Sequence, residues 1–395
     1  MNLGELVARW RVPILPAATT YTPPTSSDAG LADLLHELRR EFRQPAMAVA
    51  VVRSSGVVAR AAVGATVHDG TADVVPAHRF HIGSVTKSLT ALLLARCVED
   101  GRLHYAMTVR DALPHVAIRR EYAAVTLHDL LTSRAGIIPF QQLALEDPAH
   151  VEMLEHVIPS KTADARLQRQ RVTEYALAQA PVRTPGTAAI YSNVGWAVLG
   201  HVAETTLDLP FELALAQRVL APLRMDGARV GGWPASLDEP RQPRGHYVEP
   251  TGLRPQSLDD AYVLRAWMNP SGGVSCTIDD LAAYALDVLR GLRGDGLLLQ
   301  AQGYSTLHAP QVTERARTMY QGVRTRARVT YGYGWGLQEL QGVRLSIADG
   351  SAGTFYARVA VLPALDVACA GFTNAGDGVG ALDAAVVRAT GIRWA

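Results

Sequence analysis

Residues 80–103 read FHIGSVTKSLTALLLARCVEDGRL, and the fold is legible from this stretch outward. Apolar residues at 85, 89, 92, 93 and 97 share one face of a helix expected over residues 84–98, and Gly101 supplies its stop. Ser84 and Lys87 stand at the head of that helix, three residues apart, so their side chains lie on one face a turn from each other. The positive end of a helix dipole faces a serine placed there, and its backbone N–H can serve an oxyanion. A serine hydroxyl is a poor nucleophile until a base takes its proton. A lysine is such a base only when burial leaves its amine neutral, and the apolar helix under Lys87 favours burial. Lysine is also scarce: of 38 Lys and Arg residues, only Lys87 and Lys161 are lysines. A surface lysine beside an N-cap serine would show the same spacing, so this motif leaves the chemistry open.

A second candidate element is Pro185-Gly186-Thr187-Ala188-Ala189-Ile190-Tyr191-Ser192-Asn193-Val194-Gly195-Trp196. Pro-Gly marks a turn, and a helix is expected over 196–203. From the loop between them, Tyr191 and Asn193 can point into one site. The tyrosine hydroxyl could relay a proton and the amide could hold Lys87 or a substrate. A core aromatic followed by an Asn helix cap is the plainer alternative.

Around these motifs the chain is ordered simply. Residues 13–30, rich in Pro, Thr, Ser and Ala, read as an extended arm, followed by an amphipathic helix over 31–42. Two β-rich runs, 46–53 and 57–64, joined by Ser54-Ser55-Gly56, read as a hairpin. From 101 to 300 the signals are mostly helical, with irregular insertions at 140–160 and 228–262. Strand signals return at 331–340, 343–347, 356–362 and 368–373, and a helix over 381–389 closes the chain. β-rich ends around a helical middle predict an α+β fold, with one largely antiparallel sheet built from both ends. The expected division is an arm (1–30), a sheet domain (31–100 with 301–395) and a mostly helical subdomain (101–300), with the active site between the last two.

Together these stretches resemble the serine β-lactamase/penicillin-binding-protein superfamily, especially its class C-like and esterase branch. Residues 80–103 look like that family's nucleophile helix over their whole length. Leu130-Leu131-Thr132-Ser133-Arg134-Ala135-Gly136 is similar to a family loop that usually reads L-L-T-H-x-S-G. PGTAAIYSNVGWAVLGHVAE (185–204) matches the tyrosine motif and its helix. VLAPLRM (219–225), NPSGGVSCTIDDLA (269–282) and YGWG (333–336) look like structural segments, all in the expected order. The resemblance spans roughly residues 40–390. It implies a β-lactamase/transpeptidase-like fold, Ser84 as nucleophile, Lys87 as its base partner, Tyr191 as the catalytic tyrosine and Asn193 as the family's asparagine.

The family's third motif, commonly K-T-G or H-x-G, falls on Ala348-Asp349-Gly350 within ADGSAGTF (348–355). Gly350 keeps the position where a strand must approach the substrate closely. The N–H of Ser351 would join that of Ser84 in an oxyanion hole. Ala348 stands where the family usually has Lys or His, the cation that anchors a substrate carboxylate. Its loss removes a charge-assisted contact of roughly 1.5–3 kcal/mol, and Asp349 would add negative charge if it faced the cleft. Arg344, on the same strand face as Ala348, is a possible substitute anchor. Gln141 and Gln142 follow the Gly136 loop where the family often sets an amide over the substrate; a solvent-facing role is equally open.

These features favour an esterase acting on a small neutral or cationic acyl substrate. A β-lactamase, a D-amino-acid peptidase or an acyltransferase of the same fold is the alternative within the enzyme class. A non-catalytic penicillin-binding-like sensor or scaffold is the alternative outside it. No cofactor or metal is implied. His78 and His81 lack metal-ligand spacing and read as packing or surface residues, and Trp196 and Trp335 as core. Cys97, Cys276 and Cys369 are too few and scattered for a disulfide framework or zinc site and read as buried thiols.

Composition narrows the classes further. The 395 residues are 48% hydrophobic and 19% charged, enough for a large core and for two subdomains. A formal net charge of +1 gives no electrostatic case for nucleic acid or an anionic membrane. No apolar run approaches the ~20 residues of a spanning helix. The N-terminal residues show neither a basic n-region nor an apolar h-region, so the expected location is cytoplasmic.

Overall fold

Strands from both ends of the chain meet in one eight-stranded sheet. The computed structural model describes residues 13–14, 26–140, 157–158, 164–231, 242–257, 265–316, 328–340, 343–391 and 393–394. Helix α1 (Asp28–Glu41) and the hairpin of β1 (Ala46–Arg53) and β2 (Gly56–Gly64) precede helix α2 (Thr86–Glu99). The middle of the chain supplies α3 (Ala165–Ala178), α4 (Asn193–Leu207), α5 (Phe211–Leu215), α6 (Asn269–Gly272) and α7 (Ile278–Leu292), among shorter pieces. Then come β3 (Val312–Arg315), β4 (Arg328–Tyr331), β5 (Gly336–Leu340), β6 (Val343–Ser351), β7 (Tyr356–Leu362), β8 (Val367–Thr373) and α8 (Val379–Thr390). The strand order is β2-β1-β8-β7-β6-β5-β4-β3, with every neighbouring pair antiparallel. The fold is α+β, an antiparallel sheet flanked by helices, as the sequence predicts.

Both faces of this sheet are buried, which is why its central strands read as continuous apolar runs rather than as alternations. Met47, Val49 and Val51 of β1 join Cys369 of β8 against Leu31, Leu35 and Leu38 of α1 and Leu382 and Val386 of α8. Their neighbours Ala46, Ala48 and Ala50, with Val359, Val361 and Phe372, face the opposite way, into a larger core shared with α2, α4 and α7. Small residues on that second face let helices sit close to the strands. Helix ends are fixed locally: the Ser27 hydroxyl accepts the Gly30 N–H at 3.2 Å before α1, and Thr277 and Asp280 form a reciprocal capping box at α7.

Several boundaries differ from expectation. The run 331–340 is not one strand. The chain turns after β4 through Gly332 and Gly334, the latter at φ +81°, and re-enters the sheet as β5. A Cβ on Gly334 would lie 2.9 Å from Ser88 Cα, so this turn rests directly on α2. The strand expected over 343–347 continues to Ser351, and β3 gave no clear signal in sequence. The helical middle also holds short strands. Val274–Cys276 pairs with Phe80–His81 and Arg229–Val230, and His246–Glu249 pairs with Gly252–Pro255 inside the stretch expected to be irregular. Cys97, Cys276 and Cys369 are buried free thiols, and Trp196 and Trp335 are core residues, as expected.

Candidate active site

Ser84 does not open an α-helix. Gly83–Val85 form a 3₁₀ turn and α2 begins at Thr86. Gly83 holds φ +49°, and its N–H donates to His81 Nδ1 at 3.2 Å, so the turn is set before the helix starts. Strand β6 passes close beside it. A Cβ on Gly350 would stand 2.0 Å from the Ile82 carbonyl oxygen and 2.6 Å from the Ser84 nitrogen, while a Cβ on Gly83 would stand 2.6 Å from the Ser351 nitrogen. Glycine is required at both positions, and the half-buried Ser84 sits between the turn and the strand.

Lys87 is 1% exposed. Desolvation drives its pKa well below that of a free lysine. Its Nζ lies 2.9 Å from Ser84 Oγ, 2.8 Å from Asn193 Oδ1 and 2.6 Å from the Ser271 carbonyl oxygen. Two of these partners, the amide and peptide oxygens, can only accept. A neutral amine has two hydrogens and one lone pair. A neutral Lys87 that gives both hydrogens to Asn193 and Ser271 has its lone pair left for the Ser84 hydroxyl. Tyr191 completes the triangle: its hydroxyl donates to Ser84 Oγ at 2.7 Å, and Lys87 Nζ lies 4.7 Å from the centroid of its ring. Burial raises the Tyr191 pKa, so the phenol keeps its proton at neutral pH.

The loop before α4 aims these groups. Ser192, not Asn193, is the helix cap: its hydroxyl accepts the Gly195 N–H at 2.9 Å and donates to the Ile138 carbonyl at 2.6 Å. Asn193 is thereby free for the site. Its own N–H donates to the Pro139 carbonyl at 2.9 Å and its Nδ2 to the Phe140 carbonyl at 2.7 Å, which fixes Oδ1 toward Lys87.

Other residues singled out in sequence fare differently. Gly350 lies against the Ser84 turn, and Ala348, two residues earlier on the same face, is buried in the core on that side. Asp349 must be corrected. Strand alternation turns it to the opposite face, where it takes Arg358 through Nε at 2.6 Å and Nη2 at 2.9 Å, and Arg358 continues to Asp383 of α8. It belongs to a buried ion pair between sheet and helix, and adds no charge to the cleft. Arg344 donates to the His308 carbonyl at 3.1 Å, and four residues of strand place it about 13 Å along β6 from Ala348. Gln141 and Gln142 lie outside the described residues. His78 closes a local turn by accepting the Val75 N–H at 3.0 Å, and His81 serves the Gly83 turn.

Two contributors were missed, the carbonyls of Ser271 and Phe140, because a backbone acceptor has no residue-type signature. The Pro270 and Gly272-Gly273 turn around Ser271 was the available hint. Among the described residues no group of three or more His, Cys, Asp or Glu could hold a metal ion, and no helix is long and apolar enough to cross a membrane.

The chain is similar to known proteins in sequence and in fold. The family model described as Beta-lactamase matches residues 31–391. Penicillin-binding protein 4 of Amycolatopsis lactamdurans is 27% identical over 346 residues, covering 86% of this chain and 83% of that protein. The D-aminopeptidase of Brucella canis is 25% identical over 316 residues, 80% of this chain and 54% of that protein, so the chain spans about half its length. In the solved structures, the octameric penicillin-binding protein homologue from Pyrococcus abyssi matches 91% of this chain and 77% of its own, with TM-score 0.71 and 20% identity. That likeness is one of fold.

Proposed function

The chain belongs to the Beta-lactamase family, and from that premise we propose that it is a serine hydrolase working through an acyl-enzyme on Ser84, with small esters as its preferred substrates. The observation that carries this reading is the triangle of Ser84, Lys87 and Tyr191, in which a buried amine lies 2.9 Å from the serine hydroxyl and the phenol 2.7 Å from it. In the proposed mechanism Ser84 Oγ attacks the ester carbonyl as its proton passes to neutral Lys87. The N–H groups of Ser84 and Ser351, brought together where β6 meets the 3₁₀ turn, receive the oxyanion. Tyr191, still protonated and coupled to Lys87 through Ser84, delivers a proton to the leaving alcohol. Water then attacks the acyl-enzyme by the reverse proton route and releases the acid.

Preference for an ester rests on Ala348. A methyl group replaces the usual cation, and Arg344 is held well along the strand. With Asp349 turned away, the case stands on the missing cation alone. The likeness to D-aminopeptidases favours a second reading, cleavage of a D-amino-acid amide or short peptide by the same Ser84 chemistry. A non-catalytic binding role would leave the buried amine and its three partners without a use.

The deciding experiment offers the purified chain p-nitrophenyl esters, D-amino-acid amides and nitrocefin, and reads acyl-enzyme mass. Ester turnover with an acyl adduct on Ser84, absent in Ser84→Ala, is the expected outcome. Equal rates for the two proteins would exclude the mechanism, and faster amide turnover would favour the second reading. Ala348→Lys is expected to raise nitrocefin turnover roughly 10–100-fold by restoring a carboxylate contact. No gain would remove the missing cation as the basis of specificity.

A further inference from the structure

Arg169 of α3 is a fully buried guanidinium held by two carboxylates. Its Nη2 donates to Glu204 Oε1 of α4 at 2.5 Å, and the two Nη atoms grip Glu212 of α5 at 2.7 and 2.9 Å. Nη1 also donates to the Ala266 carbonyl at 3.0 Å, and Glu212 Oε1 accepts Asn269 Nδ2 at 2.7 Å. Both ends of the 266–269 segment are therefore tied to one ion cluster, one through a carbonyl and the other through a side chain. Asn269 opens α6, the four-residue turn that presents the Ser271 carbonyl to Lys87 at 2.6 Å and the Pro270 carbonyl to Thr90 Oγ1 of α2 at 2.8 Å. The fit around Asn269 is close: a Cβ on Gly273 would come within 2.4 Å of its Oδ1, and one on Gly231 within 2.8 Å of its Nδ2.

A single helical turn has little stability of its own, so something outside it must fix its carbonyl. Buried ion clusters are weak sources of net stability because desolvation offsets their attraction, and positioning accounts better for retaining one. We propose that the Arg169–Glu212–Asn269 cluster is a positioning device that fixes the Ser271 carbonyl on Lys87 and so aims the amine's lone pair at Ser84. The proposal rests on the acyl-enzyme reading above and adds to it residues that touch neither substrate nor nucleophile.

Its consequence has a definite sign. A carbonyl accepts more strongly from an ammonium than from an amine, so the Ser271 oxygen favours protonated Lys87. Releasing that oxygen lowers the lysine pKa further while leaving the lone pair unaimed. A merely loosened fold would admit water and move the pKa the other way.

The test measures ester hydrolysis by the full chain and its Asn269→Ala and Glu212→Gln variants from pH 5 to 9, with circular dichroism to confirm folding. Glu212 is the partly exposed end of the cluster, which makes its variant the more tolerant of the two. Expected is a kcat loss of roughly 10–100-fold, the scale on which small misplacements act. KM should change little, and the acid limb of kcat/KM should move to lower pH. An acid limb that stays put or moves up, a loss confined to KM, or unfolding of both variants would overturn the proposal. Wild-type protein without Ser84-dependent hydrolysis would instead overturn the acyl-enzyme reading on which it stands.

Discussion

Lys87→Arg is expected to lose ester turnover by roughly 10²–10⁴-fold while remaining folded, the range in which a positioned general base acts. A guanidinium does not give up its proton at any pH an enzyme meets, so it has no lone pair for the Ser84 hydroxyl. Lys87→Met should be equally inactive, since it fills the buried slot without a base. Lys87 also sets the pH profile. Burial lowers its pKa, and only the neutral amine accepts the serine proton, so wild-type kcat/KM should rise as pH climbs through that depressed value. Steady-state ester hydrolysis across pH, with thermal melting as a fold check, decides the matter. A Lys87→Arg protein that keeps a tenth or more of the activity would show that the amine is no base.

Acid should unfold this protein well before its carboxylates are protonated. Burial pushes His81 and His308 down to about 3 and His201 down to about 4. All three are neutral in the fold but take up protons near 6.5 once unfolded. The unfolded chain therefore binds more protons below that pH, and stability falls as pH drops from 6.5 toward the folded values. Between pH 7.5 and 5 each histidine contributes a loss of about 2 kcal/mol, or ~6 kcal/mol for the three, at one pKa unit per 1.36 kcal/mol. That is comparable with the whole stability of a typical domain. His246, held down by burial while it accepts the His68 N–H and bonds the Asn374 carbonyl, changes in the same direction. Denaturant titrations at pH 7.5, 6.5 and 5 measure the slope, and His308→Gln should flatten it by about a third. Equal stability at pH 5 and 7.5 would show that these rings are not buried neutral groups.

The helix after Ser84 was legible because an apolar face and a Ser-x-x-Lys share a period, and its start was misplaced by two residues because a 3₁₀ turn shows the same first-turn spacing. Tyr191 and Asn193 were legible as a pair, but whether Asn193 served the site or capped the helix was open, since Ser192 and Asn193 are both good caps and only hydrogen bonds to the Ile138 and Phe140 carbonyls chose between them. Asp349 was misread because motif position says where a residue lies along a strand. Its partner on the far face, Arg358, is nine residues away in sequence and directly across the ladder in space.

Sequence alone determined the α+β class, the hairpin and most of the return strands, and it singled out the serine, lysine and tyrosine that the fold brings together, because each depends on residue type and local period. Tertiary structure alone decided that Lys87 is sealed from water, that three oxygens surround its amine, and that Gly350 lies against the Ser84 turn while Asp349 turns to the other face of the sheet. Those properties belong to contacts between segments far apart in the chain, and to backbone oxygens that every residue carries alike. Burial and direction, on which a lysine's use as a base depends, exist only once those segments have met.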